Sequence, residues 1–148
     1  MAHLRIIAVS LLLATLWLGQ VAVRAQRNDV FRVIVHPQNP VTSVERAFLR
    51  DAFLKKATNW PHGNAIRPID LANKLPVREQ FILDVLKKTP AQLRSYWTQR
   101  IFSGLDVPPP EADSAEAAVR YVLGNSGAVA YLPEGTDPKG AKVITLVR

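Results

Sequence analysis

Apolar residues recur along this chain in two rhythms, unbroken β-branched runs and stripes spaced for helices. Val30 to His36 contains Val33-Ile34-Val35 and predicts a first strand. It empties into a polar, proline-studded stretch, His36-Pro37-Gln38-Asn39-Pro40. The spacing of Val44, Phe48, Leu49, Ala52 and Phe53 then predicts a helix with one apolar face. Thr42-x-x-Glu45 has the form of a capping box at its start, and Lys55-Lys56 suits the negative end of its dipole. Past the turn at Trp60-Pro61-His62-Gly63-Asn64, Ala65 to Leu71 predicts a second strand.

Pro76 stands where a first helical residue belongs, ahead of Val77, Phe81, Ile82, Val85 and Leu86 at helical spacing. Thr89-Pro90-Ala91-Gln92 opens another helix, with Leu93, Tyr96, Trp97 and Ile101 as its expected inner face. A loop from Ser103 to Pro110 carries three consecutive prolines. Asp113-x-x-Glu116 then predicts a capped short helix burying Ala118, Val119, Val122 and Leu123. Gly127 to Leu132 and Lys142 to Val147 read as closing strands. The alternation predicts an α/β domain with a small mixed sheet. A right-handed parallel unit is expected from the first strand, helix and second strand, and antiparallel pairing between the last two strands.

The first 25 residues change the picture of where the protein works. His3 and Arg5 precede an apolar stretch from Ile6 to Leu18, and Val23-Arg24-Ala25 offers small residues for cleavage, so residues 1–25 read as a signal peptide. The apolar stretch is shorter than the ~20 residues that span a bilayer. A periplasmic or secreted product is expected, beginning at Gln26, with residues 26–148 as one domain and no membrane span after cleavage. That product has 123 residues, with 17 basic and 12 acidic side chains and a net charge of +5. A chain without cysteine has neither disulfide nor thiolate metal site, so its fold rests on burial. The basic residues are scattered and lack a basic-aromatic stripe, which argues against nucleic acid as a partner.

Several segments together resemble a known family. "NPVTSVERAFLRDAFLKKATNWPHG" resembles a segment of the periplasmic phosphate-binding proteins of ABC transporters, in which an Asn-Pro loop feeds a helix and a Phe-Leu-Gly-x-x-x-x-Trp stretch. "GAVAYLP" looks like the Gly-Ala-Ile-Gly-Tyr strand of the same group, while "LPVREQFILDVL" and "SYWTQRIFSG" look like its short, single-lobe relatives. The similarity runs from about Phe31 to Leu146. It implies one lobe of a type II periplasmic binding protein, an envelope location, a small anion such as phosphate as ligand, and a transporter or sensor as partner. The full-length binders close two lobes around the ion and use an arginine after a strand, followed by a Ser-Gly-Thr loop. Here Asp70 stands near the expected arginine and Leu75 near the expected serine, and leucine cannot accept a free helix N–H.

Candidate ligand-binding residues follow from chemistry at element junctions. Asn39, Thr42 and Ser43 could point donors at an anion over the first helix; local capping and turn formation explain them as plainly. Arg78 lies in a first helical turn, where a cation opposes the dipole, which points to an anionic ligand or to pairing with Asp70. Ser126 and Gly127 are small enough to let a ligand, or simply a tight turn, approach the backbone. Were the parallel unit formed, Thr42, Ser43 and Arg78 would face one crevice beyond the strand ends. No His-Glu-x-x-His, Gly-x-Ser-x-Gly or phosphate-cradling glycine loop occurs, so neither catalysis, a metal nor a cofactor is expected. Two functions stay open: solute binding, and a protein-interaction module that keeps the lobe without the ligand.

Overall fold

The computed structural model describes residues 30–148; the expected leader lies outside the described residues. At the centre is β1 (Phe31–Val35), in which every residue except Arg32 is buried. Burial on both faces explains why its sequence is a continuous apolar run rather than an alternation. On one side β1 pairs antiparallel with β6 (Ala128–Pro133), from Phe31 opposite Pro133 to Val35 opposite Val129. On the other it pairs antiparallel with β7 (Lys142–Val147), Val33 opposite Ile144. β2 (Ser43–Glu45) adds in parallel to β7, and β3 (Arg67–Pro68) in parallel to β6. The sheet order is β2-β7-β1-β6-β3, so β1 runs against four strands that all point the other way.

This topology corrects two expectations. β1 forms no parallel unit with the next strand, because β6 lies between β1 and β3. Nor do the last two strands pair with each other; each takes one edge of β1. The expected second strand also breaks at Ile69. Its first part is β3; its second, β4 (Asp70–Leu71), leaves the sheet to pair in parallel with β5 (Glu111–Ala112).

The helices follow their apolar stripes, with local departures. α1 (Arg46–Phe53) buries Leu49, Ala52 and Phe53, but it starts later than the capping-box pattern implied. Ser43 to Glu45 are extended against β7, and Glu45, at the N-cap, makes no side-chain cap bond. α2 (Pro76–Phe81) runs into a π-helical turn, Ile82–Leu86, closed by Lys87 in the left-handed conformation at φ 54°. α3 (Pro90–Phe102) has the complete capping box: Thr89 Oγ1 accepts from Gln92 N at 3.2 Å, and Gln92 Oε1 accepts from Thr89 N at 2.8 Å. α4 (Ala115–Gly124) is capped by Ser114, which accepts from Ala117 N at 3.1 Å, rather than by Asp113. Two residues expected inside face water: Ile101 is 51% exposed and Leu123 is 37% exposed.

Among the described residues, one apolar cluster joins the sheet to α1, α2, α3 and α4. At its heart Tyr131 of β6 stacks on Phe81, with Phe31 and Phe53 packed against the pair. Among the described residues no helix is long and apolar enough to cross a membrane.

Candidate functional site

Of the residues singled out from the sequence, Asn39 and Arg78 belong to two polar clusters built on different elements. The first begins where β1 ends. The chain turns as Asn39 N donates to the His36 carbonyl at 2.9 Å and Gln38 N donates to His36 Nδ1 at 3.1 Å. Asn39 is only 3% exposed. Its Oδ1 accepts from Val41 N at 3.0 Å, an Asx turn, and lies 3.3 Å from His62 Nε2. The Val41 N–H fixes which way the amide points, and this leaves Asn39 Nδ2 buried without a hydrogen-bond partner. Lys142, the first residue of β7, donates its ammonium to the Asn39 carbonyl. A lysine and an unpaired amide donor thus converge on one loop, with two imidazoles, His36 and His62, hydrogen-bonded into it.

His62 reaches that loop because the segment after α1 is pinned beneath it. Its ring lies parallel to Trp60, centroids 6.3 Å apart, and Trp60 Nε1 donates to the Gly127 carbonyl at 3.0 Å. Gly127 is where two backbones meet: a Cβ there would lie 2.0 Å from the Ala65 carbonyl oxygen. The close approach that its small size permits is therefore made by Ala65. Ser126 is exposed in the turn ahead of β6.

The second cluster surrounds Asp70, which is 8% exposed. Its Oδ2 accepts from Arg78 Nε at 3.0 Å and from Arg78 Nη2 at 2.8 Å. Its Oδ1 accepts from Leu71 N at 2.8 Å and from the Tyr131 hydroxyl. Arg78 also donates to Asn73 Oδ1, and its Nη2 lies 3.3 Å from Glu111. The cation that opposes the α2 dipole is thus held by carboxylates, the pairing with Asp70 that the sequence allowed. Burial first, and the Asp70 charge second, push the Tyr131 hydroxyl far above its ordinary pKa, so it stays a neutral donor. Two carboxylates against one guanidinium leave this cluster acidic, which opposes an entering anion.

Thr42 and Ser43 are exposed at the start of β2, with the Thr42 carbonyl accepting from Thr145 N at 2.9 Å. β2 and β3 are opposite edges of the sheet, and Arg78 is tied to Asp70 just past β3. The expected crevice joining Thr42, Ser43 and Arg78 required a parallel unit that the topology does not contain. Sequence reasoning missed Lys142 and His62 as neighbours of Asn39, and Tyr131 as the third member of the Asp70 pair. Only tertiary pairing brings them together, although a tyrosine inside an apolar strand signals a buried hydroxyl needing a partner. Among the described residues no group of three or more His, Cys, Asp or Glu could hold a metal.

No protein-family model matches the chain, and no curated protein matches it by sequence. Solved structures do match. A Clostridium perfringens protein assigned as a phosphate ABC transporter substrate-binding protein, with bound phosphate, aligns at TM-score 0.60 and 19% identity over 78% of this chain. An ABC-type phosphate transport receptor from Vibrio cholerae aligns at TM-score 0.60 and 20% identity over 78% of this chain. PstS from Borrelia burgdorferi aligns at TM-score 0.59 and 12% identity over 79% of this chain. The aligned part is 44%, 45% and 47% of those proteins' own lengths, so this chain spans less than half of each. At these identities the likeness is one of fold: a single lobe of type II periplasmic-binding-protein architecture.

Proposed function

We propose that this chain is an exported, non-enzymatic solute-binding-type lobe that handles phosphate or another small anion for an ABC transport or sensing system. The observation that carries the reading is the Asn39 loop, where the buried side-chain amide has an unpaired donor and Lys142 donates to the same residue's carbonyl, on a fold shared with phosphate-binding proteins. An orphaned buried donor costs free energy, and an acceptor from a ligand would relieve it. Asn39, Thr42 and Ser43 form the seat in this reading. Arg78, engaged by Asp70, contributes little, and Ser126 and Gly127 shape the neighbouring turn.

A lone lobe supplies one wall of a site, so affinity for phosphate is expected at about micromolar or weaker. Calorimetric titration of the chain from Gln26 onward checks this. Asn39→Ala should weaken binding at least several-fold, while Arg78→Ala leaves it nearly unchanged. Absence of any heat from a folded protein would favour the second reading, a protein-interaction accessory to a transporter or sensor. That second reading draws on the Asp70–Arg78–Glu111 cluster, whose cation is already occupied. Export is checked by intact mass: the periplasmic or secreted product should lack residues 1–25.

A further inference from the structure

The end of α3 and the loop after it form an apolar tip that the core does not use. Phe102 is 88% exposed, Leu105 65%, Val107 56% and Ile101 51%, four large apolar side chains within seven positions. Scattered exposed apolar residues are ordinary; a contiguous group is a mark of contact with something else. The tip is also preformed. Ser103 N, Gly104 N and Leu105 N donate to the carbonyls of Gln99, Ile101 and Arg100, each at 3.0 Å, and Gly104 makes the turn at φ 65°.

Charge identifies the occupant. From Lys87 to Leu105 the chain carries Lys87, Lys88, Arg94 and Arg100 and no carboxylate. Arg94, Thr98 and Phe102 follow at i, i+4 and i+8, one stripe of the helix surface that leads to the tip. Lys88, just ahead of α3, and Arg100 within it both lie over the Tyr96 ring, 5.4 and 5.5 Å from its centroid, which gathers two more cations around this helix. The nearby acid in the loop, Asp106, is taken up by Lys55 at 3.1 Å and by Val107 N at 2.8 Å; Asp84 lies 3.8 Å from Lys87.

We propose that this tip docks onto an anionic lipid bilayer, with Phe102 and Leu105 entering the interface and the cations of α3 meeting lipid phosphates. A protruding apolar turn backed by cations is the arrangement that interfacial membrane binding uses. The core of a protein–protein interface is depleted in charge, and lysine is depleted across such interfaces, so an acidic protein partner suits this surface less well. The inference does not depend on anion binding at Asn39.

The test is co-sedimentation of the chain from Gln26, which contains every described residue of the core, with vesicles. Phosphatidylglycerol–phosphatidylethanolamine vesicles should retain it at least about tenfold better than phosphatidylcholine vesicles. Phe102→Ser with Leu105→Ser should lower that retention about tenfold with an unchanged melting temperature, since both residues are exposed. Arg94→Ala should lower it about fivefold. Val143→Thr, an exposed apolar site on β7, should leave it unaltered. Equal retention of the double variant and the wild type would overturn the proposal, because net charge alone would then explain binding. Failure to sediment with either vesicle, or a dimer in solution that the double variant dissolves, would overturn it equally.

Discussion

Phe81 and Tyr131 lie face to face, their ring centroids 3.8 Å apart and their planes 3° from parallel. One ring comes from α2 and the other from β6, so the stack fixes how that helix sits on the sheet. It also aims the tyrosine hydroxyl at Asp70. Tyr131→Phe keeps the stack and removes the donor. Denaturant unfolding should show a loss of ~1.5–3 kcal/mol, the worth of a hydrogen bond to a charged acceptor. A pH series gives the same residue a second signature. Its folded-state pKa lies above the unfolded value of ~10, so the stability it contributes is full below pH ~10 and is lost as pH rises past that point. The difference in stability between wild type and Tyr131→Phe should therefore shrink or reverse above pH ~10.

Arg78→Ala leaves Asp70 in a nearly closed site with only Tyr131 and Leu71 N for partners. Removing one member of a buried ion pair is expected to destabilise by ~3 kcal/mol. Arg78→Lys should restore only part of this, since an ammonium cannot reproduce the two-nitrogen grip on Oδ2. Equilibrium urea unfolding of the three proteins checks both statements.

Trp97 is 8% exposed and packs edge-on to Tyr96, ring centroids 4.9 Å apart. Trp97→Ala should lower stability by ~3–5 kcal/mol, the range for deleting a large buried aromatic. A denaturant midpoint equal to that of wild type would show that α3 does not depend on this anchor.

Gly127→Ala introduces one methyl group where the Ala65 carbonyl already stands. The obstacle is backbone, not a movable side chain, so the β3 lead-in and the β6 turn must separate. The expected loss is ~1–3 kcal/mol, read as a lower melting temperature. Trp60 donates to the carbonyl of the same glycine, so its fluorescence should shift in the folded variant.

What the sequence disclosed follows the range of each interaction. The Thr89 capping box, the α1 stripe and the runs in β1 and β6 are local, and they stand as read, except at helix ends. Thr42-x-x-Glu45 misled because the same four residues also suit an extended segment, and pairing with β7 decided for the strand. Ile101 and Leu123 continue their helical stripes past the point where the core ends, so periodicity alone could not show that water begins there. The placement of β6 and β7 on either side of β1 depends on partners far apart in sequence, which no short window contains. The candidate site was legible in the same proportion. Asn39 could be picked from its loop, and Arg78 from its conflict with the dipole, but Lys142, which donates to the Asn39 carbonyl, and Tyr131, which donates to Asp70, are strand residues far along the chain.

The central place of β1 has a consequence for the order of events at birth. Among the described residues, the first strand to be made is the one whose two neighbours, β6 and β7, are made last. Contacts so distant in sequence make folding slow, because long loops must close before any sheet pairing is gained. Until Lys142 to Val147 have emerged, one edge of β1 has no mate, and a nascent chain cannot complete the sheet. From residue 30 until β7 is made, the sheet therefore stays incomplete. Emergence of β7 then becomes the step that gives β1 its second neighbour.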